Sequence, residues 1–173
     1  MEIDTIYFYT VAIIDWIPLL KVEKYKLIVL NSLIHLIEKQ KIIVYGFVIM
    51  PNHIHIIWEF KEMNGKEMPY ASFMKFTGHQ FLKELRLSND PIIKRFETDR
   101  NSRNHQFWQR SGLPIMLYDR KILEQKLDYI HLNPLQAHWN LVTDPNDYYF
   151  SSSSFYELED NRFNWLTHYM DVF

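Results

Sequence analysis

YGFVIMPNHIHIIWEF, residues 45–60, is two apolar runs joined by a proline–asparagine pair. Pro51 fixes its own φ and lacks an amide donor, and Asn52 tolerates left-handed backbone, so the pair starts a turn. The flanking runs, 44–50 and 53–60, are rich in β-branched and aromatic residues and predict an antiparallel hairpin. Period-two alternation along the second run puts Ile54, Ile56 and Trp58 on one face and His53, His55, Ile57 and Glu59 on the other. Two imidazoles therefore project side by side from one strand.

Outward from the hairpin, residues 5–15 read as a strand, and residues 23–41 as a helix with Leu27, Leu30, Ile34 and Ile37 at helical spacing. Residues 68–87 predict a second helix, and the polar stretch 88–106 has no assignment. Residues 107–109 and 114–118 read as short strands. Asp119 is the N-cap of a last helix through Ile122, Leu123, Leu127 and Ile130, which Pro134 ends. The order β-α-β-β-α-β-α predicts an α+β fold, an antiparallel sheet with helices packed on it.

With 173 residues, 47% hydrophobic and 16% aromatic, the chain is expected to form one domain over 1–173. There is no cysteine, and the first ten residues lack the basic start and apolar run of a signal peptide, which favours the cytoplasm. The apolar stretches are too short for a membrane span. Four glycines, none in a phosphate-cradling loop, argue against a nucleotide cofactor. A net charge of -2 argues against broad attraction to duplex DNA, so any nucleic-acid contact is local.

Histidines two apart on a strand can share one divalent cation, although the same pair also fits imidazoles hydrogen-bonded to neighbours. On the last helix Tyr129 and Asn133 are i and i+4 and share a face. A phenol beside a cation suits nucleophilic attack on phosphorus. Equally, Tyr129 fits a core-edge aromatic and Asn133 a helix-end cap. Pro134 disfavours α backbone at Asn133, which sets that residue just past the helix.

The segments YGFVIMPNHIHIIWE and KLDYIHLNPLQA closely resemble the two signature segments of the REP-associated tyrosine transposases and the related single-tyrosine insertion-sequence transposases. FWQRSGLPIMLYD and FSSSSFYEL resemble that family's Trp-Gln and Ser-Ser segments, so the resemblance runs from about Tyr45 to Leu158. It implies a ferredoxin-like fold of the His-hydrophobic-His (HUH) endonuclease type. It implies metal ligation by His53, His55 and Asn133, with Mg²⁺ or Mn²⁺ as cofactor and Tyr129 as nucleophile. The implied substrate is single-stranded or hairpin DNA, cleaved and rejoined through a 5′-phosphotyrosine, by a monomer in preference to a homodimer.

For DNA contact, Lys75, His79, Lys83 and Arg86 form a basic stripe on the second helix, with Phe73, Phe76 and Phe81 nearby. The same spacing also describes a solvated helix face. A second cluster comprises Lys94, Arg95, Arg100, Arg103, His105 and Arg110, diluted by Glu97 and Asp99. Trp108 and Tyr118 are candidates for base stacking, and Tyr118 is the competing nucleophile. A cupin-like reading of His53, His55 and Glu59 lacks the second histidine motif and the β-barrel pattern. The main alternative is a non-cleaving hairpin-binding protein of the same fold.

Overall fold

The computed structural model describes residues 1–98, 104–110 and 112–172. Strands β1 (Ile6–Ala12), β2 (Ile42–Ile49), β3 (His53–Phe60) and β4 (Leu113–Met116) form one sheet in the order β2-β3-β1-β4, with every neighbouring pair antiparallel. Helices α1 (Glu23–Glu38), α2 (Pro69–Leu87), α3 (Arg120–Leu132) and the short α4 (Ser153–Glu157) pack around it. The expected α+β sheet with packed helices is the observed fold.

The hairpin turns at Pro51-Asn52, where the Met50 amide donates to His53 O at 2.8 Å. Every residue of β3 is buried, because helices cover both faces of the sheet. On one face Trp58 meets Phe73 of α2, ring centroids 5.9 Å apart, and α1 joins this layer through Tyr25 against Phe81 at 5.7 Å. The other face carries His53 and His55, opposite Ala12 and Thr10 of β1. There α3 lies over β2, where a bulge between Val44 and Gly46 interrupts the register. Gly46 makes the close approach possible: a Cβ there would stand 2.5 Å from Leu127 Cδ2.

Three sequence expectations are corrected, two of them in part. Leu30 of α1 is buried as expected, together with Tyr25, Val29, Leu33 and Leu36, while Leu27 is exposed and Ile34 and Ile37 are half-buried. Apolar residues extend beyond the buried face of this helix, so periodicity does not fix its phase. Residues 107–109 form no strand. They make a single bridge, Ile13 to Trp108, with Ile14 N donating to Phe107 O at 2.7 Å and Gln109 N to Ala12 O at 2.8 Å. Asn133 lies just past the end of α3 as expected, but it keeps α backbone (φ -58, ψ -43) despite Pro134 and starts a 3-10 turn through Leu135.

Asp119 caps α3 as expected, its carboxylate accepting from the Lys121 and Ile122 amides at 2.8 and 3.3 Å. Leu123, Leu127 and Ile130 face inward, leaving Tyr129 half-exposed one position round the helix. The serine segment closes the fold: Ile49 N donates to Phe150 O and Ser152 N to Phe47 O, covering the outer edge of β2. His131 of α3 shares a 2.8 Å hydrogen bond with the Ser152 hydroxyl, tying α3 to this segment. Among the described residues no helix is long and apolar enough to cross a membrane.

Candidate active site

Folding brings Tyr129 of α3, and Asn133 just past its end, against the two histidines of β3. The His53 and His55 ring centroids lie 4.7 Å apart, and that of Tyr129 is 5.3 Å from His55. The Asn133 amide nitrogen is 3.5 Å from His55 Nε2, while its Oδ1 is buried without a hydrogen-bond partner. All four line one pocket of about 540 Å³, whose other walls are Phe8 and Thr10 of β1, Leu113 and Ile115 of β4, Trp16, and the turn Gln136–Trp139.

Each histidine is oriented through its Nδ1. Asn52 Nδ2 donates to Trp16 O at 3.3 Å, so its Oδ1 is the atom that accepts from His53 Nδ1–H at 2.7 Å. The Nε2 lone pair of His53 is thereby left available. His55 Nδ1 shares a 2.7 Å hydrogen bond with the Thr10 hydroxyl, which leaves its Nε2 facing Asn133. Second-neighbour bonds of this kind fix tautomer and ring orientation at metal sites.

Burial lowers the His53 pKa to about 4, helped by His138. It lowers that of His55 to about 3, helped by His53 and Lys126. Both rings are neutral at pH 7, the form that ligates a cation. Among the described residues no group of three or more His, Cys, Asp or Glu side chains could hold a metal, so a third protein donor would be an oxygen other than a carboxylate. The unpartnered Asn133 Oδ1 fits that role, since rotating the amide exchanges its O and N. The set of two imidazoles and one amide suits a divalent cation with open positions.

Lys126, one turn before Tyr129, was not singled out by sequence. Its ammonium lies 5.0 Å from the Phe8 ring centroid and 6.0 Å from that of Tyr129. Trp16 was missed as well, and its backbone is unusual. Asp15 and Trp16 both have left-handed φ, 51° and 54°, a conformation that costs L residues roughly 1–2 kcal/mol each.

The basic stripe lies elsewhere. Lys75, His79, Lys83 and Arg86 are exposed on α2, on the sheet face opposite the histidines. Lys75, His79, Arg86 and Arg110 line a second groove of about 730 Å³ between α2 and residues 104–110; Lys83 does not. Lys75 is ion-paired with Glu67 at 3.0 Å. Asp99, Arg100 and Arg103 lie outside the described residues. Trp108 is corrected as a stacking candidate: it is buried and its indole N–H donates to Thr77 at 2.9 Å. Tyr118 is exposed and absent from the histidine pocket.

No protein-family model matches this chain, and no curated protein does. Among solved structures the chain is similar to a REP-associated tyrosine transposase bound to a REP hairpin. The TM-score is 0.61 at 19% identity, over 96% of this chain and 84% of that one. The likeness is one of fold.

Proposed function

We propose that this chain is a divalent-metal-dependent single-tyrosine transposase or endonuclease acting on single-stranded DNA beside a hairpin. The observation that carries the reading is the convergence of His53, His55, Tyr129 and Asn133 on one pocket, with a buried amide oxygen that has no other partner. The similar structure, whose protein is bound to a hairpin, supports the choice of substrate.

In this reading His53, His55 and Asn133 would hold Mg²⁺ or Mn²⁺, which when bound would polarise the scissile phosphate. The Tyr129 oxygen attacks phosphorus, the P–O3′ bond breaks, and the departing 3′ oxygen takes up a proton. The 5′ phosphate stays on Tyr129, and a later attack by a 3′ hydroxyl reverses the exchange without ATP. Lys126 holds its ammonium 6.0 Å from the Tyr129 ring centroid, a positive charge on the nucleophile's side of the site. Because ligand and nucleophile share one helix face, Asn133 also sets the attack geometry. The groove beside α2 offers Lys75, His79, Arg86 and Arg110 to DNA phosphates, with Lys83 flanking it.

The test incubates 3′-labelled DNA hairpins bearing single-stranded flanks with Mg²⁺ or Mn²⁺ and wild-type, Tyr118→Phe or Tyr129→Phe protein. A labelled protein band after denaturation is expected from wild type and Tyr118→Phe only. An adduct that survives Tyr129→Phe, or cleavage with no adduct, overturns the assignment. Tight binding with no cleavage in either metal supports the non-cleaving alternative.

A further inference from the structure

Of the five tryptophans, Trp58 and Trp108 are buried and Trp139 and Trp165 are half-buried, but Trp16 is 55% exposed. This indole stands on a backbone in the left-handed region yet keeps more than half its surface exposed, so burial in the core does not account for its placement. Its carbonyl is held by the same Asn52 amide that orients His53. Its ring centroid stands 5.9 Å from that of His53, edge-on, and the Trp139 ring stands 5.8 Å from the same imidazole. Both indoles line the histidine pocket. The chain thus places two large π surfaces on the nucleophile's side of the sheet, well away from the basic groove of α2.

We propose that Trp16 and Trp139 form a clamp that stacks on one unpaired nucleobase adjoining the scissile phosphate. This rests on the strand-cleavage reading above and deepens it. A phosphate seated at His53 and His55 leaves its attached nucleoside within the same pocket, whose remaining walls are the apolar Leu113, Ile115 and Phe8 beside the polar Thr10, Gln136 and His138. The apolar walls suit the faces of a base, and the polar ones suit its edges. Stacking tolerates any base, so the clamp supplies grip and register, and its loss weakens binding at every sequence. It also requires an unpaired strand, since a base inside a duplex has no free face.

The experiment uses the full chain and a DNA hairpin with single-stranded flanks, carrying 2-aminopurine at each unpaired position in turn. Fluorescence quenching on binding is expected at one position, next to the junction cut by wild type. Trp16→Ala should relieve that quenching and weaken binding about tenfold, whereas Trp16→Phe should keep most of both. An abasic nucleotide at that position should cost wild type a similar factor and cost Trp16→Ala nothing further. Trp16 is exposed, so an unchanged melting temperature separates clamp loss from unfolding; Trp139→Phe serves if Trp139→Ala melts early. If both tryptophan variants bind like wild type and the abasic scan is flat while the Tyr129 adduct still forms, the clamp is wrong and the cleavage reading stands. If wild type neither binds nor cleaves any flanked hairpin, both fall.

Discussion

Gly46→Ala tests how α3 is seated over the sheet. The added Cβ would lie 2.5 Å from Leu127 Cδ2, with Ser152 Oγ at 3.3 Å and Ile130 Cδ1 at 3.4 Å. Carbon pairs rest at about 3.5–4.0 Å, so the Leu127 methyl must retreat by roughly 1 Å. Leu127 Cδ2 is the end of a side chain, but that side chain is buried in the core, so its retreat displaces packed neighbours. Overpacking of this kind costs about 1–3 kcal/mol, which in a chain of this size lowers Tm by roughly 2–4 °C per kcal/mol. Leu127→Ala alone leaves a cavity costing about 2–5 kcal/mol. The double variant puts the new methyl into the space just vacated, so the two losses should fall short of additive by about 1 kcal/mol or more. Tyr129 rides on α3 and Asn133 caps its end, and a misplacement near 1 Å can cost about 100-fold in rate. Tyrosyl-DNA adduct formation should therefore fall further in Gly46→Ala than its stability does. Thermal melts and an adduct time course read both effects. Strict additivity in the cycle, or Gly46→Ala melting and reacting like wild type, would refute the packing of α3 on Gly46.

Further outcomes follow from other residues. Burial lowers the pKa of His53 to about 4, His55 to about 3 and His131 to about 4, from 6.5. The unfolded chain therefore binds more protons below that value. Stability should be full above pH 6.5 and fall as the pH drops toward 4, by up to about 4 kcal/mol per pH unit if all three contribute. Denaturant unfolding across that range checks it, and a flat profile would contradict the burial of the three rings. Thr77→Val strands the Trp108 indole N–H in the core and should cost about 1–3 kcal/mol, whereas Thr77→Ser should cost less; equal melting of the two variants would refute the bond. Replacing Lys75, Arg86 and Arg110 by glutamine should weaken hairpin binding and reduce the slope of log affinity against log salt by about 0.7–0.9 for each phosphate that is no longer neutralised. An unchanged slope would remove the α2 groove from the DNA interface.

The hairpin, the histidine parity and the Asp119 cap were legible because each depends on residues adjacent in sequence. The pairing of His53 and His55 with Tyr129 and Asn133 was legible only through resemblance to a family, since spacing left other readings open. What stayed hidden was made by closure of the fold. The phase of α1 was masked by apolar residues that extend beyond its buried face, and the bridge of Trp108 to Ile13 joins distant segments. Asn52 reads as a turn residue, and nothing local reveals that its amide spans Trp16 and His53. Trp16 and Lys126 carry no motif and gain meaning from the ring each one approaches.

Strand β3 presents the histidines on one side and packs Trp58 against the basic helix on the other. The two surfaces share a backbone but no side chain. Substitutions on the outer side of α2 can therefore alter that surface without touching the imidazoles. Eight residues of extended chain insulate one surface from the other.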